Sequence, residues 1–405
     1  MKAFIIFILL LTAESICYPQ DFAFNDKFID STINTFRQKW NIPGISVAIA
    51  KDGRLIYAKG FGYADTSKKE LVTTNSLFRI ASCSKTITAL GIMKLIENNK
   101  LHLDDIVFGE KGILDDTLYK NIFDKRVYDI TVRNLLNQTI GWPQLDIIGG
   151  NDASYALHTP IPSEASDNIK YLLQKELEFP LSTGFRYSDF NYLILGEIIS
   201  KVSKMDHEEY ILSEILHPIG INTTIPGRSK LEERLPNEVI YYDYNSELSP
   251  SVFDTSKMVP MSYSYYMKPM ISSGGWISRP IDMVKIILSI DGLNNPPNIL
   301  KKETIDLMTT VPANIKTHYG MGMYVTNNNW FHEGEETWGT SALWFKTAKN
   351  VCFAIACNTL PTINGTEEEK YEVMKKYARE LVGLFPKSFE KITSWPNINL
   401  YDNYK

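Results

Sequence analysis

Ser82-Cys83-Ser84-Lys85 sets a hydroxyl and an amine one helical turn apart on a common face. Such a pair suits nucleophilic catalysis. An amine held in a desolvated wall gives up part of its charge and serves as a base for the serine. The run from Ser82 to Asn99 has a helical pattern. Its apolar residues Ile87, Leu90, Ile92, Met93, Leu95 and Ile96 cover most of the circumference, which predicts a buried helix. Ser82 would then stand at the helix mouth, where free backbone N–H groups favour developing negative charge. A serine there also makes a plain helix cap. The spacing alone does not separate the two, and Ser388-Phe389-Glu390-Lys391 repeats it by accident.

Elements at both ends must position this helix. Gly44 to Ala50 and Arg54 to Gly60 flank Lys51-Asp52-Gly53, the pattern of a β-hairpin. Leu343 to Lys346 and Val351 to Cys357 form a second strand pair around Thr347-Ala348-Lys349-Asn350. Between about 100 and 270 the pattern alternates helices, such as Val132 to Asn137, Asn168 to Glu176 and Asn191 to Val202, with long loops. Glu367 to Phe385 is an amphipathic helix. The economical reading is one module built from both termini, with a mostly helical part inserted. Residues from about Lys387 onward look like a tail without a core face of their own.

The 405 residues are 44% hydrophobic and 22% charged, with a net charge of −5 spread along the chain. No basic cluster suggests nucleic acid. The six histidines include no i,i+4 pair, so no metal site is expected. At the N-terminus, Lys2 precedes the apolar run Ala3 to Leu11, with Ser15 and Cys17 as small residues before Tyr18. That is the pattern of a secretory signal peptide, residues 1–17, and is too short for a comfortable membrane span of about 20 residues. Cys352 and Cys357 lie five residues apart on a strand, on opposite faces, so they do not pair.

Several segments carry a family resemblance. Phe78-Arg79-Ile80-Ala81-Ser82-Cys83-Ser84-Lys85-Thr86 resembles the first motif of serine β-lactamases, penicillin-binding proteins and related esterases. Leu101-His102-Leu103-Asp104-Asp105 follows in family order. Ile130 to Pro143 resembles a segment that ordinarily reads Leu-Leu-x-His-Thr-Ser-Gly in its middle. Tyr187-Ser188-Asp189 resembles a Tyr-Ser-Asn motif, and Ser273 to Met283 and Tyr319 to Met323 also fit. His332-Glu333-Gly334 sits where Lys-Thr-Gly or His-x-Gly belongs. The resemblance covers roughly residues 25 to 385 and is nearest the class C branch. That branch includes D-alanyl-D-alanine carboxypeptidases, esterases and the β-lactamase-like proteins of animals.

The resemblance implies an α+β fold of β-lactamase/transpeptidase type, an antiparallel sheet flanked by helices. The α/β part would span about 25–85 and 273–385, the helical part about 86–272, and the tail 386–405. It implies a secreted serine hydrolase acting on a small-molecule or peptide ester or amide, without cofactor, metal or stable membrane insertion. Ser82 would be the nucleophile, Lys85 the neighbouring base and Tyr187 a proton shuttle. Asp189, His332, Gly334 and Glu335 would bind substrate, with backbone N–H groups of Ser82 and Glu335 as the oxyanion hole. A true β-lactamase or D,D-peptidase, or a silent scaffold with the same fold, are the alternatives.

Two departures bear on specificity. Asp189 replaces the usual asparagine; its carboxylate should keep Lys85 charged and shift the base role toward Tyr187. His332 replaces a lysine, so the fixed charge that would dock a lactam carboxylate is missing, and Glu333, Glu335 and Glu336 are expected around the same spot. Sequons stand at Asn137, Asn222 and Asn364. Asn137 belongs to a segment near the active site and is expected unmodified, which leaves Asn222 and Asn364 as acceptors.

Overall fold

The computed structural model describes residues 22–114, 117–243, 245–293, 295–336, 339–363 and 365–404. The expected signal peptide, Cys17 and Asn364 lie outside them. Helix α1 is Asp26–Lys39, capped by Asn25, whose side chain accepts from Lys27 N. The hairpin strands are β1 (Gly44–Lys51) and β2 (Arg54–Asp65), followed by the short β3 (Glu70–Leu71). Asp52 and Gly53, at φ of 49° and 77°, supply the two positive-φ residues that a type I′ turn needs. Helices α2 (Ser84–Glu97), α3 (Val132–Leu136) and α4 (Asp189–Ser203) lie in the helical part, and α5 (Pro280–Leu288) leads out of it. Strands β4 (Tyr324–Thr326), β5 (Asn329–Glu336), β6 (Thr340–Lys346) and β7 (Val351–Cys357) follow, then α6 (Glu367–Gly383).

The seven strands form one antiparallel sheet in the order β4-β5-β6-β7-β1-β2-β3. The β7–β1 pairing, Cys352 opposite Ala50 and Ala356 opposite Ser46, joins the two ends of the chain. The two faces differ in side-chain size. Toward α1 and α6 stand Ile45, Val47, Ile49, Leu343, Phe353 and Ile355. Toward α2 and α5 stand Ala48, Ala50, Ala342, Cys352, Ala354 and Ala356. Small residues let α2 and α5 approach the sheet closely, while the bulky face fills the layer beneath α1 and α6. Cys352 and Cys357 fall on opposite faces, and both are free, as is Cys83.

Helix α2 is buried nearly all round and packs on α4. The reading of residues beyond Lys387 as a tail without a core face is corrected. Pro386–Phe389 is helical, and Ile392–Ser394 pairs in parallel with Phe22–Ala23. Phe389 and Ile392 are buried against the α1/α6 face, and Leu400, Tyr401 and Tyr404 pack on the other core. Asn397 and Asn399 accept from Arg54 and from Leu55 N, so the segment straps the β2 side of the sheet. Among the described residues, no helix is long and apolar enough to cross a membrane.

Candidate active site

Ser82 lies in a single 3-10 turn, Ala81–Cys83, that runs straight into α2. From Ser76 to Met93 every residue is buried except Ser82, which is half-buried. The turn before it is forced: Ala81 has φ of 44°, a left-handed conformation that costs an L-residue roughly 1–2 kcal/mol. The surroundings hold it there. Ile80 N donates to Trp276 O, Trp276 N donates to Ser84 Oγ at 3.2 Å, and Cys83 Sγ meets His332 O at 3.3 Å. Ser84 thus serves the neighbouring strand and points away from Ser82.

Gly334 explains how β5 comes so near. A Cβ on this residue would stand 2.2 Å from Ile80 O and 3.2 Å from Ala81 Cβ. Only glycine allows the strand to lie on the Ala81–Cys83 turn. Gly322, at φ of 85°, does the same against α2, where Thr86 Oγ1 donates to Gly322 O at 2.7 Å.

Lys85 is fully buried, and each of its three ammonium protons has an acceptor. These are Ser82 Oγ at 2.9 Å, Ser273 O at 2.8 Å and the Asp189 carboxylate. The ammonium also lies 4.8 Å from the centre of the Tyr187 ring. Burial lowers the Lys85 pKa, and the charge of Asp189 opposes that without reversing it. Burial and the Asp189 charge both push the Tyr187 hydroxyl well above its usual range, while a hydrogen bond with Ser82 works the other way. These directions run against the expected shift of the base role to Tyr187. Half of the Asp189 side chain faces solvent, so its field is screened, whereas Lys85 has no solvent at all.

Tyr187 and Asp189 straddle the start of α4, with Ser188 as the N-cap residue. A carboxylate in the first turn is favoured by the helix dipole. His332 lies on β5 with its ring enclosed, 1% exposed, against Tyr187, Tyr319 and Tyr324 at centroid distances of 6.2, 5.8 and 5.8 Å. Its Nδ1 faces Glu333 O at 2.6 Å, and a carbonyl only accepts, so Nδ1 carries the proton. Nε2 is then the bare nitrogen, facing the Tyr319 hydroxyl at 3.2 Å. Burial and the nearby Lys85 charge lower the His332 pKa to about 3. The ring is neutral and offers no cation to a substrate.

The expected ring of glutamates around His332 is corrected. Residues alternate along β5, so Glu333 and Glu335 share the face of Leu343 and Ser341, toward α6. Burial raises both carboxyls, Glu335 further through the charge of Glu333. Only Glu336 shares the His332 face, and it accepts from Tyr265 Oη at 2.6 Å beside the buried Arg79.

The geometry is that of a serine paired with a lysine, with a tyrosine and a carboxylate beside them, at the junction of a helix and a sheet edge. The family model for Beta-lactamase matches residues 29–378. The chain belongs to that family. Protein flp of Staphylococcus aureus (strain COL) is 33% identical over 196 residues, 48% of this chain and 37% of that protein. Penicillin-binding protein 4* of Bacillus subtilis (strain 168) is 32% identical over 224 residues, 54% of this chain and 46% of that protein. The chain spans less than half the length of each of these relatives. Among solved structures, the octameric penicillin-binding protein homologue from Pyrococcus abyssi matches with a TM-score of 0.63 at 25% identity, over 89% of this chain and 77% of that one. The architecture is the β-lactamase/transpeptidase-like fold, a serine-hydrolase framework.

Within that framework the structure brings Ser82, Lys85, Tyr187 and Asp189 together and sets His332 and Gly334 directly behind them. Sequence reasoning assigned no role to Ser273, whose carbonyl holds Lys85, to Tyr319, whose hydroxyl faces His332, or to Tyr192, whose hydroxyl meets that of Tyr319. The signal for Tyr319 was present in Tyr319-Gly320-Met321-Gly322, where glycines mark a close approach. A backbone acceptor such as Ser273 O leaves no signal in residue type.

Proposed function

We propose that the protein is a secreted serine hydrolase that cleaves an ester or amide through an acyl-enzyme on Ser82. The observation that supports this most directly is the 2.9 Å hydrogen bond between Lys85 Nζ and Ser82 Oγ, with Ser82 the one partly exposed residue in its stretch. Ser82 Oγ adds to the substrate carbonyl carbon, and its proton passes to the neutral form of Lys85, which burial favours. The backbone N–H groups of Ser82 and Glu335 take the charge on the carbonyl oxygen. The bond to the leaving group breaks, and Tyr187 relays the proton to the departing oxygen or nitrogen. Water then adds to the acyl carbon, gives a proton back along the same relay, and releases Ser82. The neutral His332 and the carboxylate of Asp189 favour neutral acyl groups over carboxylate-bearing lactams. The signal-like N-terminus supports secretion, with cleavage near Cys17-Tyr18, and Asn222, which is exposed, is with Asn364 one of the two glycan acceptors this reading expects. Asn137 is buried and donates to Gly320 O at 3.3 Å, in keeping with an unmodified side chain.

Labelling by a fluorophosphonate, with Ser82→Ala as control, tests the nucleophile. A panel of neutral esters, peptides and lactams tests the substrate class. Labelling and ester turnover that vanish in Ser82→Ala uphold the reading. A wild-type protein that neither labels nor turns over any of the panel is a scaffold.

A further inference from the structure

The loop that carries Tyr187 is held from one side by a short buried segment. Glu178 N donates to Gly141 O at 2.8 Å, Ser182 N to Thr139 O at 3.0 Å and Arg186 N to Gln138 O at 3.0 Å. Gln138 then adds a side-chain contact: its Oε1 accepts from Ser188 N at 3.0 Å. Main chain and side chain of one residue therefore grip the residues on both sides of Tyr187. Gln138 is fully buried and stands at φ of 62°, a left-handed conformation seldom kept by a long side chain without cause.

The orientation of this amide is fixed by its partners. A backbone N–H only donates, so the atom facing Ser188 N is the oxygen. Asn191, on the first turn of α4, must then present its Nδ2 to the same oxygen. Gln138 Nε2 and Asn191 Oδ1 are left without protein partners inside the buried pair. The amide is held in this arrangement although it does not satisfy its own donor, so its placement follows the needs of the Tyr187 turn.

We infer that Gln138 is the positioning residue for Tyr187: by bracketing the Arg186–Ser188 turn it sets the Tyr187 hydroxyl against Ser82. The inference rests on the proposed role of Tyr187, but the placement of the ring is measurable without catalysis. Gln138→Met keeps the length and removes the acceptor. Gln138→Asn withdraws the oxygen by one methylene and is the arm to read if the methionine variant does not fold. Gln138→His restores a ring nitrogen able to accept from Ser188. The ring is followed by NMR of protein labelled with 13Cζ-tyrosine, the Tyr187 resonance being assigned with Tyr187→Phe. Turnover is followed with a neutral p-nitrophenyl ester.

In Gln138→Met or Gln138→Asn, the Tyr187 resonance should move while those of distant tyrosines stay. The value of kcat should fall on the order of 10- to 100-fold with KM little changed, the cost of misplacing a reacting group by about 1 Å. Gln138→His should recover kcat and the resonance. A Tyr187 resonance and kcat that remain at their wild-type positions, with only the melting temperature lowered, overturn the inference. If the wild type has no esterase activity, the functional reading fails, and the movement or stillness of the Tyr187 resonance still decides the role of Gln138.

Discussion

Lys85 and Asp189 form an ion pair whose partners occupy different media: the lysine side chain is fully buried, and half of the carboxylate is open to solvent. The pair is therefore unequal. Burial acts in full on Lys85, while the attraction of Asp189 is weakened by water. Replacing Asp189 by asparagine removes a charge that raises the pKa of both Lys85 and Tyr187. Lys85 then loses its proton at lower pH, and so does Tyr187. Both limbs of a kcat/KM profile should move toward acid in Asp189→Asn, with a stability loss on the order of 1 kcal/mol after screening. A profile superimposable on that of the wild type would show that the carboxylate does not govern the base.

Gly334 gives a steric prediction. With a methyl group only 2.2 Å from Ile80 O, Gly334→Ala must push β5 and the nucleophile turn apart. Displacement near 1 Å at a reacting centre costs on the order of 100-fold in rate. Fluorophosphonate labelling of Gly334→Ala should slow by about that factor. Leu71→Ala, at an exposed position on the far edge strand β3, serves as the control and should label at the wild-type rate.

Much of this site was legible because its central contact is local. Ser82 and Lys85 meet through helical spacing alone. The Lys85–Asp189 pair bridges 104 residues, and only the family resemblance could suggest it. The three glutamates of β5 were misplaced for a different reason. The alternation that separates Glu333 and Glu335 from Glu336 is present in the sequence, but which parity faces the nucleophile is set by the pairing with β6 and by what covers each face. The C-terminal strap was missed because Phe389, Ile392, Leu400 and Tyr401 follow neither the helical nor the strand period. Their contacts come from an irregular path over the sheet.

His332 predicts how stability responds to acid. Its folded pKa, about 3, lies below the ordinary 6.5. Between those values the unfolded chain binds a proton that the native ring refuses, so stability falls as pH drops from 6.5 toward 3. Each unit of depression is worth about 1.4 kcal/mol. Glu333 and Glu335 work in the opposite sense, since raised carboxyl pKa values remove stability as pH climbs above 4.5. His332→Gln should flatten the loss of stability on the acid side, as read from urea unfolding at pH 4 and pH 7. An acid-side slope as steep as in the wild type would assign the loss to other groups.

Substrate charge offers a separate test. The His332 ring is neutral and shut behind three tyrosines, and Asp189 is the charged group facing solvent beside Ser82. A single unfavourable interaction of about 1.4 kcal/mol is tenfold in binding. Neutral short-chain esters should exceed penicillins in kcat/KM by at least about that factor. His332→Lys alone should not reverse the preference, because it places a second ammonium near Lys85 in a dry enclosure; joined to Asp189→Asn it should narrow the gap. Efficient penicillin hydrolysis by the wild type, without esterase activity, defeats this account.

The central pairing of the sheet also sets the order of events during synthesis. Strand β1 is buried along nearly its whole length, and its free edge awaits β7, almost 300 residues later. At ~5–20 residues per second, the ribosome needs roughly 15–60 s to deliver that partner. Throughout that interval the N-terminal hairpin carries an unpaired apolar edge of the kind that templates aggregation. The chain is thus most vulnerable while it is still being made, and a helper that shields a strand edge would act on the nascent hairpin long before Ser82 has a cleft to face.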